Sequence, residues 1–210
     1  MSKNIKILDC TLRDGGYYNN WDFSNELISD YLNTMRDSSV DYVELGFRSL
    51  KNNSFKGPCA FTTNEFISDT VNFKNPGICV MVNGSELLEK NKFSKKNAEK
   101  LFPLNKDNKL KLVRLACHQD EILRILPICK FLKRRKIKVG LNLMQVSEIN
   151  LANIKNITKE LNNHDVDIFY IADSLGTLND DNLIKILEKI KSVRKGEIGI
   201  HAHDNMEKAL

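Results

Sequence analysis

The sequence predicts an α/β fold of the (β/α)8, or TIM, barrel class, and two observations carry the prediction. Short β-branched segments alternate with longer amphipathic segments along all 210 residues, which is typical of parallel βαβ units. Polar residues follow the carboxyl ends of several predicted strands, and a barrel collects its functional groups at that end. A doubly wound sheet is the alternative, but Arg13-Asp14-Gly15-Gly16-Tyr17 lacks the Gly-x-Gly-x-x-Gly pattern of a dinucleotide-binding turn.

Hydrophobic periodicity predicts strands and helices in strict alternation. The predicted strands are Ile5–Cys10, Tyr42–Phe47, Gly77–Val82, Lys111–Ala116, Lys138–Asn142, Asp167–Ala172 and Glu197–His201. The predicted helices are Asn25–Asp37, Thr63–Val71, Ser94–Phe102, Asp120–Lys133, Glu148–Asn162 and Asp180–Val193. A complete barrel has eight strands and typically about 250 residues. We therefore expect residues 1–210 to form one barrel domain that is truncated after strand seven and lacks its C-terminal βα unit.

The composition is that of a globular domain, with 41% hydrophobic and 28% charged residues and no low-complexity linker. The segment Met1–Leu8 lacks a signal-peptide apolar stretch, and no apolar run approaches membrane-spanning length. We therefore expect a cytoplasmic protein without a membrane partner. The five cysteines lack Cys-x-x-Cys spacing, which predicts reduced thiols that lie mostly in the core.

The net charge of +5 raises the question of nucleic-acid binding, because Lys130–Lys138 is densely basic. This segment falls where a predicted helix ends, and the helix dipole favours cations there. Aromatic residues that would stack on bases are not interleaved with the basic ones. The sequence therefore favours a solvated helix end, with no nucleic-acid partner.

His201 and His203 are the strongest candidates for metal ligands. Side chains at i and i+2 of a strand point to the same face, so the two imidazoles can bind one divalent ion. Asp14, after the first predicted strand, could add a carboxylate, because strands one and seven are near neighbours around a closed barrel. The alternative is a pair of histidines with purely structural hydrogen bonds.

Several motifs together resemble the DRE-TIM metallolyase superfamily, also described as the HMG-CoA-lyase-like (HMGL-like) or pyruvate carboxyltransferase domain. Within it, the sequence is most similar to proteins like 4-hydroxy-2-oxovalerate aldolase. The resemblance extends in order along nearly the whole chain. It rests on Asp9–Gly15, Tyr42–Gly46, Val113–His118, Ile171–Gly176 and His201–Asn205.

The resemblance implies a metal site and a charge-stabilising arginine. Asp14, His201 and His203 match the protein ligands of a divalent metal, with Mn²⁺ or Mg²⁺ expected and Co²⁺ or Zn²⁺ as alternatives. Arg13 matches the arginine that stabilises the enolate oxygen as the carbon–carbon bond breaks. Glu44 matches an acid that holds this site, and the simpler interpretation is a buried partner for Arg13.

Other candidates have weaker support. Ser174 matches a residue near the substrate carboxylate, although it could equally cap a loop. His118 and Asn142 stand at strand ends, where either substrate binding or a structural role is expected. Arg48 is predicted to be a surface arginine, with carboxylate binding as the alternative.

One position departs from the aldolase pattern. A histidine that acts as general base in that branch is absent, and Tyr17 lies in the corresponding region. A tyrosine could move a proton there only if its pKa were lowered from about 10. The resemblance also implies that strand eight adds to the metal site, and this strand is missing from the 210 residues.

The expected function is a metal-dependent aldolase or lyase that acts on a 4-hydroxy-2-oxo acid and yields pyruvate and an aldehyde. The expected partners are a small 2-oxo acid and either a second copy of the chain or an aldehyde-processing enzyme. The first alternative is a Claisen-type synthase that condenses an acyl-CoA with a 2-oxo acid, like isopropylmalate or homocitrate synthase. The second is a catalytically inactive fragment that acts as a binding module.

Overall fold

The computed structural model describes residues 5–51, 54–104 and 109–203. The chain divides into two compact units, one of Met1–Val82 with Lys96–Val113 and the other of Asn83–Lys95 with Arg114–Leu210. Among the described residues, no helix has the length and apolar character needed to cross a membrane.

Nine strands and eight α-helices make up the described chain. The strands are β1 Leu8–Asp9, β2 Tyr42–Phe47, β3 Gly77–Asn83, β4 Leu88–Glu89, β5 Lys92–Phe93, β6 Leu110–Cys117, β7 Lys138–Leu143, β8 Ile168–Ala172 and β9 Glu197–His201. The helices are α1 Thr11–Gly15, α2 Asn25–Asp37, α3 Asn64–Thr70, α4 Lys95–Leu101, α5 Ile122–Ile125, α6 Pro127–Lys133, α7 Leu151–Leu161 and α8 Asp180–Lys191.

Strand order follows chain order, apart from the short antiparallel hairpin β4–β5. In the first unit the neighbours are β1, β2, β3 and the first half of β6, and in the second unit the rest of β6, β7, β8 and β9. The pairs β1–β2, β2–β3, β7–β8 and β8–β9 are parallel. In a doubly wound sheet the first strands are added toward one edge and the later strands toward the other edge. A (β/α)8 barrel instead adds each strand beside the previous one. The predicted barrel fold with seven strands is therefore confirmed.

Burial and capping explain why these segments form. Strands β2, β3, β7 and β8 are buried along nearly their whole length, as expected for parallel strands covered on both faces. Four helices begin at a side chain that accepts a hydrogen bond from the backbone N–H three residues later. These capping residues are Ser24, Thr63, Asn150 and Asn179.

Two predicted elements are shorter or divided. The first strand was expected over Ile5–Cys10, but β1 spans only Leu8–Asp9, and it ends there because Cys10 already occupies the N-cap position of α1. The helix expected over Asp120–Lys133 is split into α5 and α6 at Pro127, which has no N–H to donate and begins α6. The end of α6 at Lys133 lies within the basic segment, as predicted.

The core holds most of the thiols. All five cysteines are free, and four of them are buried, which confirms that the thiols lie mostly in the core. Burial raises the pKa of Cys59 to about 12. Burial, with the charges of Asp165 and Asp167, does the same for Cys129.

Candidate active site

The turn that carries Arg13 and Asp14 is fixed by Asp9 at the end of β1. The Asp9 carboxylate accepts hydrogen bonds from the backbone N–H of Thr11 at 2.9 Å and from the Thr11 hydroxyl at 3.2 Å. The Tyr31 hydroxyl of α2 donates to the same carboxylate at 2.5 Å. These bonds tie the start of α1 to β1 and α2.

Arg13 and Glu44 form a buried ion pair. Arg13 Nε donates to Glu44 Oε2 at 2.8 Å, and Cys79 Sγ donates to Glu44 Oε1 at 3.6 Å. Arg13 Nη1 donates to the Asp14 carboxylate. Burial lowers the pKa of Arg13, but the carboxylates of Glu44 and Asp14 outweigh burial and hold this pKa above its ordinary value. Arg13 is therefore a fixed cation, and its buried Nη2 has no hydrogen-bond partner among the described residues.

Cys10 is a partner of Asp14 that was not among the predicted site residues. Its thiol donates to Asp14 Oδ2 at 3.1 Å, because the i and i+4 positions at the start of α1 share a face. Burial, followed by the charge of Asp14 and the hydrogen bond to it, raises the pKa of Cys10 to about 12, so the thiol stays protonated. The spacing was visible in the sequence, but Cys10 was assigned there to the first strand. The Asp14 side chain keeps 35% exposure and remains accessible to a ligand.

Tyr17 lies on the 3₁₀ turn Gly16–Tyr18 that follows α1. Partial burial raises the pKa of Tyr17, the charge of Arg13 lowers it, and the charge of Asp14 raises it again, so that the net shift is upward. A tyrosine base needs the opposite shift. The environment therefore favours the neutral phenol, which is able to donate a hydrogen bond.

His201 and His203 come together in the second unit. His201 is the last residue of β9 and His203 lies two residues beyond it, so only the first is in a strand. Their Nε2 atoms are 3.1 Å apart. This separation is that of a hydrogen bond between the two rings, in which one tautomer donates. It is also close to the distance of about 3.0 Å between two imidazole nitrogens at right angles on one divalent ion, with bonds of about 2.1 Å. Asp204 and Asn205, the rest of this motif, lie outside the described residues.

Asp173 organises the loop that follows β8. Its carboxylate accepts hydrogen bonds from the N–H groups of Thr177 at 3.1 Å and Leu178 at 3.0 Å. Its own N–H donates to the carbonyl oxygen of His201 at 2.9 Å. The end of β9 is thus bonded to the start of this loop.

Asn142 belongs to a buried cluster on β6, β7 and β8. Arg114 Nη2 donates to Asn142 Oδ1 at 3.0 Å, and the Arg114 guanidinium carbon lies 4.6 Å from the centroid of the Tyr170 ring. Glycines on the neighbouring strands make room for this ring, since a Cβ at Gly199 would approach it to 2.2 Å and one at Gly140 to 2.8 Å. Arginine has only donors, so the bond fixes the amide of Asn142 with its oxygen toward Arg114.

Ser174 and His118 occupy loops of the same unit. Ser174 Oγ accepts a hydrogen bond from the Gln145 N–H at 3.2 Å, which joins the loops after β7 and β8 and leaves the hydroxyl hydrogen available. The His118 side chain is exposed, and its backbone N–H donates to Glu121 Oε2 at 3.0 Å.

Arg48 is not a surface arginine, and that prediction was wrong. The residue is 3% exposed and donates to the carbonyl oxygens of Thr62 and Leu101, both at 2.9 Å. It also donates to Asn64 Oδ1 at 2.6 Å. Arg48 is buried because backbone carbonyls from segments distant in the sequence converge around it and need a hydrogen-bond donor. Burial lowers the pKa of Arg48 to about 10.

A family model of HMGL-like proteins matches residues 4–210 of the chain. Among solved structures, the N-terminal domain of a proposed aldolase from Bacteroides vulgatus is 27% identical with a TM-score of 0.84. The match covers 96% of this chain and 65% of that chain, so the present sequence spans about two thirds of it.

Two more distant structures share the fold. HMG-CoA lyase from Brucella melitensis is 12% identical with a TM-score of 0.71, and the match covers 99% of this chain and 75% of that one. The carboxyl transferase domain of Rhizobium etli pyruvate carboxylase, solved with pyruvate, is 12% identical with a TM-score of 0.68. That match covers 97% of this chain and 36% of the other. A search of curated proteins finds no significant match.

Proposed function

Because the chain belongs to the HMGL-like family, we propose that it is a divalent-metal-dependent aldolase that cleaves or forms a carbon–carbon bond in a 4-hydroxy-2-oxo acid. The products of cleavage are pyruvate and an aldehyde. Proteins described as an aldolase, a lyase and a carboxyl transferase share its fold, which supports an enzyme of this kind.

The orientation of Arg13 is the observation that carries the proposal. Arg13 is 5% exposed, and Glu44 holds its side chain through Nε at 2.8 Å. Its Nη2 is left without a hydrogen-bond partner among the described residues. A fixed, desolvated cation with a spare donor is suited to an oxygen that becomes negative during reaction. We assign Nη2 to the 2-oxo oxygen of the substrate.

The residues present also fit a metal. The two histidine Nε2 atoms converge at 3.1 Å, and Asp14 offers a partly exposed carboxylate. We assign Asp14, His201 and His203 as its ligands, because the carboxyl ends of strands converge in this fold. Mn²⁺ or Mg²⁺ is our first assignment, and the ion supplies Lewis acidity to the 2-oxo group.

In cleavage the bond between C3 and C4 breaks, and its electron pair remains on C3. Arg13 donates to the 2-oxo oxygen, which takes up the negative charge of this electron pair. Glu44 prevents the Arg13 guanidinium from turning away. C4 leaves as the aldehyde, the 4-hydroxyl proton passes to water, and water protonates C3 to give pyruvate. We assign Tyr17 as a hydrogen-bond donor, because its raised pKa favours the neutral phenol. We assign the Asn142 side-chain NH₂ group and the Ser174 hydroxyl as donors to the substrate carboxylate.

A coupled assay tests the proposal. The purified chain is incubated with Mn²⁺ and a panel of 4-hydroxy-2-oxo acids, and pyruvate release is followed with lactate dehydrogenase. We expect turnover that Arg13→Lys reduces by about 10²-fold or more. The matched control is Arg36→Lys, because Arg36 is exposed on α2 and pairs with its neighbour Asp37.

Absence of pyruvate release from a folded, metal-loaded chain would contradict the aldolase proposal. Thiol release from acetyl-CoA in the presence of a 2-oxo acid would instead favour the acyl-CoA synthase. Equal activity of Arg13→Lys and the unmodified chain would exclude the assigned role of Arg13.

A further inference from the structure

Three aromatic rings form a cluster around Tyr17. The centroid of its ring lies 4.8 Å from that of Trp21 and 6.1 Å from that of Phe47, both in edge-to-face geometry. Trp21 and Phe47 are themselves 5.5 Å apart and perpendicular. Trp21 is 8% exposed and Phe47 is 6% exposed, whereas Tyr17 is 65% exposed. Two buried rings therefore support one exposed ring in a fixed orientation.

The cluster is attached to the turn that carries Arg13. Trp21 Nε1 donates to the Arg13 carbonyl oxygen at 2.8 Å, and the Arg13 guanidinium carbon lies 5.8 Å from the centroid of Phe47. Gly16 allows this close packing, because a Cβ there would approach the Trp21 ring to 1.9 Å. The exposed ring of Tyr17 is therefore held at a fixed place beside Arg13 and Asp14.

This juxtaposition has a chemical consequence for the substrate. The 2-oxo group of a 4-hydroxy-2-oxo acid is assigned to Arg13 and the metal, and the part beyond C4 needs a different surface. A rigid, neutral aromatic ring gains free energy by covering apolar or aromatic groups. The same ring contributes little binding free energy to a small polar aldehyde.

We propose that Tyr17 is a specificity-determining residue that selects substrates whose aldehyde portion carries an apolar or aromatic group. The inference rests on the function proposed above and adds a substrate class to it. Trp21 and Phe47 act as positioning residues, because they hold the Tyr17 ring in place.

The test compares two pairs of ligands. Turnover is measured with 4-hydroxy-2-oxo-4-phenylbutanoate, which yields benzaldehyde, and with 4-hydroxy-2-oxopentanoate, which yields acetaldehyde. Binding of 2-oxo-4-phenylbutanoate and 2-oxobutanoate to the Mn²⁺-loaded chain is measured by calorimetry. The variants are Tyr17→Ala and Tyr17→Phe, with Tyr18→Ala as the matched control, because Tyr18 is on the same turn and is 95% exposed.

We expect the unmodified chain to prefer the phenyl compounds in both kcat/KM and affinity. Tyr17→Ala is expected to lower this preference about tenfold or more, whereas Tyr17→Phe and Tyr18→Ala retain it. The same preference in Tyr17→Ala and the unmodified chain overturns the inference, as does a preference for the small compounds. Binding of neither 2-oxo acid also overturns it.

A separate measurement distinguishes this failure from failure of the proposed function. Exchange of the pyruvate methyl protons with D₂O, followed by NMR, needs the metal and Arg13 but no aldehyde. Exchange together with an unchanged ligand preference contradicts only the role of Tyr17. Absence of exchange and of pyruvate release contradicts the aldolase itself.

Discussion

The indole of Trp21 donates a hydrogen bond to the carbonyl oxygen of Arg13, with Nε1 and O 2.8 Å apart. This carbonyl belongs to the short helix α1. The last four carbonyls of a helix have no partner within the helix, so the indole supplies a donor from outside it. The backbone of Trp21 is also tied to this turn, since its N–H donates to the carbonyl oxygen of Gly16 at 2.9 Å. The chain contains one tryptophan, so its emission reports on the turn that carries Arg13 and Asp14.

Metal binding is expected to change the fluorescence of Trp21. An ion bound by Asp14 alters the charge around the turn to which the indole is bonded. Titration with Mn²⁺ should give a saturable change in emission that Asp14→Asn abolishes. The control is Lys56→Ala, because the ammonium of Lys56 lies 5.4 Å from the Trp21 ring centroid and its removal should change the baseline emission but not the response to Mn²⁺. Calorimetric Mn²⁺ binding without any change in emission would contradict the prediction.

Glu44→Gln is expected to lower both stability and turnover. The substitution leaves the buried guanidinium of Arg13 without its 2.8 Å carboxylate partner, and breaking such a pair typically costs about 3–5 kcal/mol. Urea denaturation followed by circular dichroism measures the first effect, and kcat measures the second. Substitution of the exposed Glu26 of α2 by Gln is the control and should change neither. A full kcat in Glu44→Gln would show that Arg13 keeps its orientation without the carboxylate.

Local patterns predicted the sheet well, and tertiary contacts account for what they missed. The last strand was predicted with its observed bounds, Glu197–His201, because β-branched residues alternate there before a polar motif. The hairpin of β4 and β5 was missed because each strand has two residues, which is too short for a periodic signal. It turns at Lys90 and Asn91, which both have positive φ.

The candidate site shows the same difference between local motifs, which the sequence predicted, and tertiary contacts, which it did not. The motif around Arg13 was visible in the sequence, and so was the pair His201 and His203. The burial of Arg48 was not, because its acceptors are the carbonyls of Thr62 and Leu101, far along the chain. Sequence spacing contains no information on such convergence.

His201→Ala is expected to remove stabilisation by metal. A ligand that binds only the folded state stabilises it by about 2.7 kcal/mol when present at 100 times its Kd. The thermal midpoint of the unmodified chain should therefore rise with Mn²⁺ and fall back with EDTA, whereas His201→Ala should show neither change. The control is His164→Ala, because His164 is an exposed residue that pairs with Glu160. A midpoint rise of equal size in His201→Ala would exclude this histidine as a ligand.

Arg48→Met is expected to destabilise the fold without a specific effect on ligand binding. The substitution leaves the carbonyl oxygens of Thr62 and Leu101 without their donor, and each buried unsatisfied group costs about 1–3 kcal/mol. A lower urea midpoint together with an unchanged Kd for Mn²⁺ is the expected result. The exposed Arg36 supplies the control, since Arg36→Met should leave the midpoint unchanged. Weaker binding of 2-oxobutanoate at full stability would instead support carboxylate binding by Arg48.

Alkaline pH is expected to destabilise the protein through its buried thiols. Cys59 and Cys129 have their pKa raised to about 12 in the folded state, against an ordinary value of 9.0. Between these values the unfolded chain loses thiol protons and the folded chain keeps them, so the free energy of unfolding falls as pH rises. Each such thiol contributes a slope of about 1.4 kcal/mol per pH unit within that window. Below pH 9 the contribution is fully present and nearly constant.

Urea midpoints measured from pH 7 to pH 11 check this slope. The double variant Cys59→Ala/Cys129→Ala should be less stable at pH 7, because small cavities form, but its stability should decline less steeply above pH 9. Lysines and tyrosines titrate in the same range in both proteins, so the difference between the two slopes isolates the thiols. Parallel curves would mean that the two thiols ionise equally readily in the folded and unfolded states, contrary to their burial at 0% and 1% exposure.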